Sequence, residues 1–403
     1  MTHDVIIIGG GPAGLTAART LLRGGVRDVV VIERNPECGG LPRFCQHPGW
    51  GMLDFHRVWR GPRYARALVH AARGATFLTD CAVTAIEPGG IVQVNTPHGA
   101  QTMRARAILL ATGIRETPRA PRLIGGMRPF GVLNTGAFQE LARFGRLPFR
   151  TPVVIGSELV AFSALATARH AGARPVALLE EHAHLSVPSV VGHAASWRYR
   201  VPVRTATRLV EILGRDRVEG VMVEHRGRQA LLPCDSVVLT GCFRPEATLA
   251  DGNAVRRDLD GTRGPIIDNF YRCDDPQVFA AGNVLRGVEH SGYVAREGRD
   301  AARAILRALS GDLPAPTPYV SVRTTGLGYV YPQRLTGVGQ TARLFARDSS
   351  VARGDLVARD ASRRVIARRS GHTLLWPRLD ITLTVPDPLD ASHVSLERET
   401  AEP

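Results

Sequence analysis

The sequence predicts an α/β fold with a β-rich tail, on three observations. A β-branched run, Val5 to Ile8, ends in Gly9-x-Gly11-x-x-Gly14 and leads into a helix-like stretch, LTAARTLLRGG. A second segment of the same design, PVVIGSELVA over residues 152–161, is followed by the strand-like PVALLEE. Beyond residue 313 the helical patterns stop, and YVSV, ARLFAR, DLVAR, RVIARR, HTLLW and ITLTV read as short strands with polar turns. A length of 403 residues accommodates two or three domains with ample core.

Composition excludes several activities. All 51 residues in the Lys+Arg count are arginine. A Schiff-base lysine, a phosphate-loop lysine and a kinase lysine are therefore all impossible. The formal charge is +14, but the arginines are scattered and form no basic block with interleaved aromatics, so no nucleic-acid partner is expected. No apolar run approaches the length of a membrane span and no signal-peptide pattern opens the chain, which predicts a cytoplasmic protein without a membrane span.

Each part of the first segment has a physical reason. Gly9 permits the tight turn, Gly11 lets a pyrophosphate approach the backbone, and Gly14 lets strand and helix pack closely. Pro12 and Ala13 open the helix, whose N-terminus offers unpaired N–H groups and a positive dipole end. The next apolar run, Val29 to Ile32, ends at Glu33, nineteen residues past Gly14, where a carboxylate can accept bonds from a ribose diol. Its charge disfavours a 2′-phosphate. Arg34 follows it.

Two further segments, ILLATGIRETP over 108–118 and QVFAAGN over 277–283, complete an ordered set. With them the chain resembles the flavoproteins with two dinucleotide-binding domains, the superfamily of the pyridine nucleotide–disulfide oxidoreductases, over roughly residues 4–310. The resemblance implies two Rossmann-like domains. A discontinuous FAD domain would take residues 1–118 and 242–313. An inserted NAD(P)-binding-like domain would take 119–241, and a β-rich C-terminal domain 314–403, with its strands in about 318–386 and a frayed acidic end. It implies FAD contacts from Ala111, Thr112 and Gly113, from Gly282 and Asn283 at the ribityl chain, and from Gly292 and Tyr293, where a helix N-terminus points at the flavin pyrimidine. Reduced flavin carries negative charge there, which a helix dipole stabilises. Asn283 stands where the family usually has Asp. Asn still accepts a hydroxyl bond, so FAD binding is expected to be weaker but retained.

The second segment departs from the family's pattern. Gly156 is its first glycine and Ala161 an acceptable third, but Glu158 replaces the middle one. A side chain there fills the point of backbone approach, and its carboxylate faces a diphosphate. The expectation is a retained fold that has lost NAD(P)H.

The six cysteines have no zinc-ribbon spacing, and no metal site is expected. Cys38 and Cys45, and Cys234 and Cys242, match neither cysteine pair of the superfamily's disulfide reductases, so no redox dithiol is expected. The loop CGGLPRFCQHPGWGMLDFHRVWRGPRYARAL at 38–68 resembles a narrower subgroup. Its members include flavoprotein subunits of opine, hydroxyproline and proline dehydrogenases, of hydrogen cyanide synthase, and oxidoreductases of glycerol-3-phosphate operons. LVAFSALATARHAGARPVALLEE and TGCFRPEATL carry the same likeness. This implies a partner flavoprotein subunit that oxidises a small amino- or hydroxy-acid-like substrate. It also implies an iron–sulfur centre, if any, on a small partner, since no cysteine follows Cys273.

Candidate residues on the reactive face are Cys45, His47, His290, Ser291 and Tyr293, with His47 and His290 as possible proton donors or acceptors. Residues 341–370 hold eight arginines and three aspartates, which suggests a solvated β face or an arginine surface for an acidic partner. The resulting expectation is an FAD-dependent electron-transferring subunit. Its rivals are a self-sufficient NAD(P)H-dependent flavin reductase and an assembly subunit with structural FAD.

Overall fold

The computed structural model describes residues 2–250, 252, 254–348, 354–370, 378–388 and 392–399. The chain forms two compact units, one of Met1–Gly40, Ala65–Ile114 and Pro245–Pro403, the other of Leu41–Tyr64 and Arg115–Arg244.

The first unit is built on a seven-stranded sheet with Thr2–Ile8 near its centre, paired in parallel with Val29–Ile32 on one side and Gly99–Leu110 on the other. Val278–Ala280 joins the same sheet alongside Gly99–Leu110. The runs Val5–Ile8 and Val29–Ile32 are buried throughout, as expected of central parallel strands covered on both faces. Helix Pro12–Arg23 buries Leu15, Ala17, Ala18 and Leu21. It lies against helix Ser291–Leu309 so closely that a Cβ on Gly298 would sit 2.1 Å from the Ala13 carbonyl oxygen.

The second unit repeats the design. Its five-stranded parallel sheet runs in the order Val132–Asn134, Ser236–Leu239, Pro152–Ile155, Ala177–Leu179, Val203–Arg204. A four-stranded sheet containing the meander Thr207–Leu213, Gly220–His225 and Arg228–Pro233 accompanies it. The expected two Rossmann-like domains are therefore both present as sheets with a glycine turn at the carboxyl end of a central strand. Residues 41–64, expected with the first domain, group with the second unit, where the buried Cys45 thiol meets the Gln139 side chain at 3.5 Å.

The tail has its own core, which includes Val320, Leu344, Leu356, Ile381 and Leu396. It nevertheless groups with the first unit, tied by the Tyr331 hydroxyl to Glu297 at 3.0 Å. Its strands form a five-stranded and a three-stranded sheet. The run HTLLW lies outside the described residues. The acidic end is not frayed throughout: His393–Glu399 is an inner strand between Val320–Thr325 and Asp355–Arg359. Its acids are cross-strand partners, Glu397 and Glu399 both pairing with Arg359, and Glu399 also with Arg368. Arg343 and Arg369 converge on Asp380. Arg343, Arg359, Arg368 and Arg369 are thus paired with carboxylates of the tail itself. Among the described residues no helix is long and apolar enough to cross a membrane.

Candidate functional site

The first glycine turn is shaped by contacts that only glycine allows. Gly9 has φ +112°, and a Cβ there would fall 2.4 Å from the Ala111 carbonyl oxygen. A Cβ on Gly14 would meet the Gly9 carbonyl oxygen at 2.0 Å. Gly11 is different: the nearest atom to its would-be Cβ is Gly40 Cα at 4.0 Å, so this face is open. Gly11 occupies the cap position of helix Pro12–Arg23 with no side-chain cap and no acid in the first turn. The bare N–H groups and dipole end suit an anion.

Glu33 is buried, and both its carboxylate oxygens are engaged. Gly10 N–H donates to Oε2 at 2.9 Å, and Asn35 donates to Oε1 from its backbone N–H at 2.9 Å and its side-chain amide at 2.7 Å. Sequence reasoning missed Asn35, although its place two residues past the acid fits a local side chain–backbone bond. Arg34 does not stand alone beside the cradle; it lies 3.8 Å from Glu246. Thr112 Oγ1 donates to the Glu246 carbonyl at 2.6 Å, and Glu246 N–H to the Gly113 carbonyl at 2.9 Å, which fixes the crossover.

The late segment is held by local hydrogen bonds at three atoms. Asn283 Oδ1 accepts from Glu289 N–H at 3.1 Å, which leaves its second lone pair and the amide N–H₂ to present to a ribityl hydroxyl. His290 is the cap residue of helix Ser291–Leu309, its Nδ1 accepting from Gly292 N–H at 3.2 Å. Tyr293 and Val294 N–H donate to the His290 carbonyl at 3.0 and 3.1 Å. The Gly292 N–H expected to face the flavin is therefore locally satisfied. His290 accepts through Nδ1 as a helix cap, a structural role that the sequence reading did not give it.

Cys45 is enclosed. The residue is 6% exposed, its thiol lies within reach of the Leu41 carbonyl at 3.6 Å, and burial pushes its pKa up to about 12. Burial thus disfavours the thiolate, which is the nucleophilic form. His47 keeps its proton on Nδ1, which donates to the Pro48 carbonyl at 2.9 Å, while burial lowers its pKa. Its Nε2 is buried with no hydrogen-bond partner, 5.7 Å separating its ring from that of Trp50. None of the six cysteines forms a disulfide.

The second glycine turn is filled. Gly156 has φ +112°, as Gly9 does, but Glu158 now holds the cap position of helix Leu159–His170 without capping it. Its carboxylate turns to the Thr240 hydroxyl, which donates at 3.0 Å. A Cβ on Gly241 would lie 1.8 Å from Glu158 Oε1, and one on Gly156 2.9 Å from Oε2. The carboxylate therefore occupies the gap between the two turns. The acid ending the next strand, Glu180, is buried like Glu33, but the Ser157 hydroxyl donates to it. His182 N–H does so too, at 2.9 Å, and Ser186 N–H closes on Ser157 Oγ at 2.8 Å.

One open and one filled dinucleotide cradle define a protein of the two-domain flavoprotein class. Residues 3–298 match the family described as pyridine nucleotide-disulphide oxidoreductase, and the chain belongs to this family of FAD-dependent oxidoreductases. Among curated relatives, an opine oxidase subunit of Rhizobium meliloti is 27% identical over 337 residues, covering 75% of this chain and 62% of the relative. The glutamate synthase [NADPH] small chain of Escherichia coli K12 is 26% identical, covering 76% of this chain and 68% of the relative. This chain thus spans less than two thirds of the opine oxidase relative. Among solved structures, the thioredoxin reductase of T. acidophilum superposes with TM-score 0.64 at 22% identity, over 76% of this chain and 98% of that one. The NAD-dependent persulfide reductase of A. fulgidus gives 0.62 at 17% identity, over 95% of this chain and 74% of that one. These likenesses support the fold.

Proposed function

We propose that the chain is an electron-transferring FAD subunit of a heteromeric dehydrogenase whose partner flavoprotein subunit oxidises a small amino- or hydroxy-acid-like substrate. The observation that carries this reading is the Glu158 carboxylate seated between Gly156 and Gly241. A diphosphate brought to ~4 Å would meet a repulsion of about 4 kcal/mol per charge pair at an effective dielectric near 20. Electrons then reach the flavin from a partner and not from NAD(P)H. The subunit names of the relatives support the heteromeric part of this reading, as do the three loop and strand segments that resemble dehydrogenase subunits.

The first cradle fits FAD on its open Gly11 face and uncapped helix. Ala13 and Gly14 N–H groups would hold the pyrophosphate, Glu33 the adenosine ribose through its remaining lone pairs, and Asn283 the ribityl chain. FAD, when bound, supplies the two-electron chemistry. This chain's residues bind it, orient it and set the charge around it. An iron–sulfur centre, where the complex uses one, sits on a small partner subunit.

The test is purification with co-eluting subunits, followed by anaerobic addition of candidate amino and hydroxy acids. The reading predicts a yellow complex whose flavin bleaches with substrate. A preparation that is colourless and takes up no FAD would overturn it.

A further inference from the structure

We infer that the tail sheet sets the reduction potential of the FAD site, with Arg378 as the positioning residue and Arg347 beside it as a second grip. This rests on the flavin placement proposed above. Arg347 and Arg378 are register partners on the adjacent antiparallel strands Thr341–Arg347 and Arg378–Thr384. Both reach the same short segment. Arg347 Nη1 donates to the Val288 carbonyl at 3.4 Å. Arg378 lies 3.3 Å from Glu289 and 3.5 Å from Glu297. Its guanidinium is sandwiched between the Tyr293 and Phe345 rings, 4.5 Å from each centroid.

Those contacts converge on the residues that face the flavin in this reading. Glu289 N–H donates to Asn283, and its carboxylate accepts from His290 N–H at 3.1 Å. Tyr293 is in the first turn of the helix His290 caps. Deeper in, the fully buried Arg286 joins the Gly282 carbonyl at 2.6 Å to Glu297 at 2.7 Å. A chain of charge contacts thus runs from the tail through Glu289 and Glu297 to Gly282 and Asn283.

The cluster is unlike the other ion pairs of the tail. Pairs such as Arg343–Asp380 and Arg368–Asp355 have exposed arginines and contribute little to stability. Here Arg286 and Glu297 are buried, and Arg286 Nε, Glu297 Oε2, Ser291 Oγ and Arg378 Nη1 lack hydrogen-bond partners. Burying charge this way is a poor route to stability, since apolar side chains of similar volume pack at least as well. Its consequence is electrostatic. Arg286, Arg347 and Arg378 outnumber Glu289 and Glu297 by one, and this surplus adds to the positive field of the helix end. Removing Arg378 takes that surplus positive charge away, which disfavours the extra negative charge of a reduced flavin.

The test is dye-equilibrated anaerobic reduction of the FAD-loaded protein, which needs neither substrate nor partner. Arg378→Gln is expected to shift the equilibrium about tenfold toward oxidised flavin, ~30 mV lower for a two-electron couple. Glu289→Gln is expected to shift it the other way. Arg378→Gln with Glu289→Gln restores the balance and is expected to return within threefold of the parent, whatever it does to Tm. Arg378→Lys keeps the charge and the potential while losing the stacking. An unmoved potential in Arg378→Gln, or a double variant shifted at least as far as the single, overturns the inference. Should Arg378→Gln not retain FAD, Glu289→Gln and Arg378→Lys decide, the first needing an upward shift and the second none. Failure to take up FAD at all would count against the flavin reading itself, a result distinct from a loaded protein whose potential does not move.

Discussion

The Glu158 carboxylate accepts a 3.0 Å hydrogen bond from the Thr240 hydroxyl and fills the gap between two glycine turns. In the first cradle the corresponding residue, Gly11, leaves that space open. The same local architecture therefore ends in one open turn and one filled by a carboxylate, through a single residue position.

Replacing that residue should reopen the second cradle. Glu158→Gly removes both the side chain and the charge, and NADH-driven flavin reduction is expected to rise at least tenfold above the parent. Anaerobic stopped-flow absorbance reads this directly. Ser157 still engages Glu180, so the gain is expected to grow further with Ser157→Gly. No gain in either variant would mean that Glu158 is not the barrier.

Gly241 and Glu158 should be energetically coupled. A methyl at 241 would overlap the carboxylate at 1.8 Å, and Gly241 has φ +69°, which disfavours any L side chain. Gly241→Ala should cost roughly 1–3 kcal/mol. In a Glu158→Ala background the overlap vanishes and only the backbone strain persists, so the cost should fall measurably in a double-mutant cycle. Equal costs in both backgrounds would refute the contact.

His290 should behave as a helix cap. Its Nδ1 holds Gly292 N–H, so His290→Ala should lose about 1 kcal/mol of stability, while His290→Asn keeps an acceptor and most of that stability. A catalytic acid–base role would instead make Asn as damaging to turnover as Ala, and would leave a pH profile that Asn abolishes.

The buried thiols should be inert and should sensitise the fold to alkali. Burial raises Cys45 from 9.0 to about 12 and Cys234 likewise. Their protonated forms are favoured by folding, so the associated stability is fully present below pH 9 and is lost as pH climbs toward 12. At pH 8 the exposed Cys242 should be alkylated at least a hundredfold faster than Cys45, as peptide mapping would show. Cys45→Ala should flatten the alkaline limb of the stability curve.

The first cradle was legible because its signal is local. Strand, turn, helix and acid follow one another within thirty residues and each reads on its own chemistry. The anomaly at Glu158 was equally visible, but not its partner: Thr240 is far along the chain, and only the fold brings the two together. His290 reads as a reactive histidine until Gly292 is seen to donate to it. The strand His393–Glu399 was hidden for the same reason. Glu397 and Glu399 look like a solvated acidic end in sequence, and become inner-strand residues once Arg359 and Arg368 lie across from them. Long-range strand pairing and the burial of Val394 and Leu396 in the tail core decide that segment.

The central claim is that electrons do not enter this protein from a nicotinamide bound in its second cradle. Anaerobic stopped-flow mixing of the FAD-loaded parent protein with millimolar NADH, and separately NADPH, tests it most directly. The oxidised flavin spectrum is predicted to persist for minutes with either nucleotide. Bleaching within the first seconds would contradict the account.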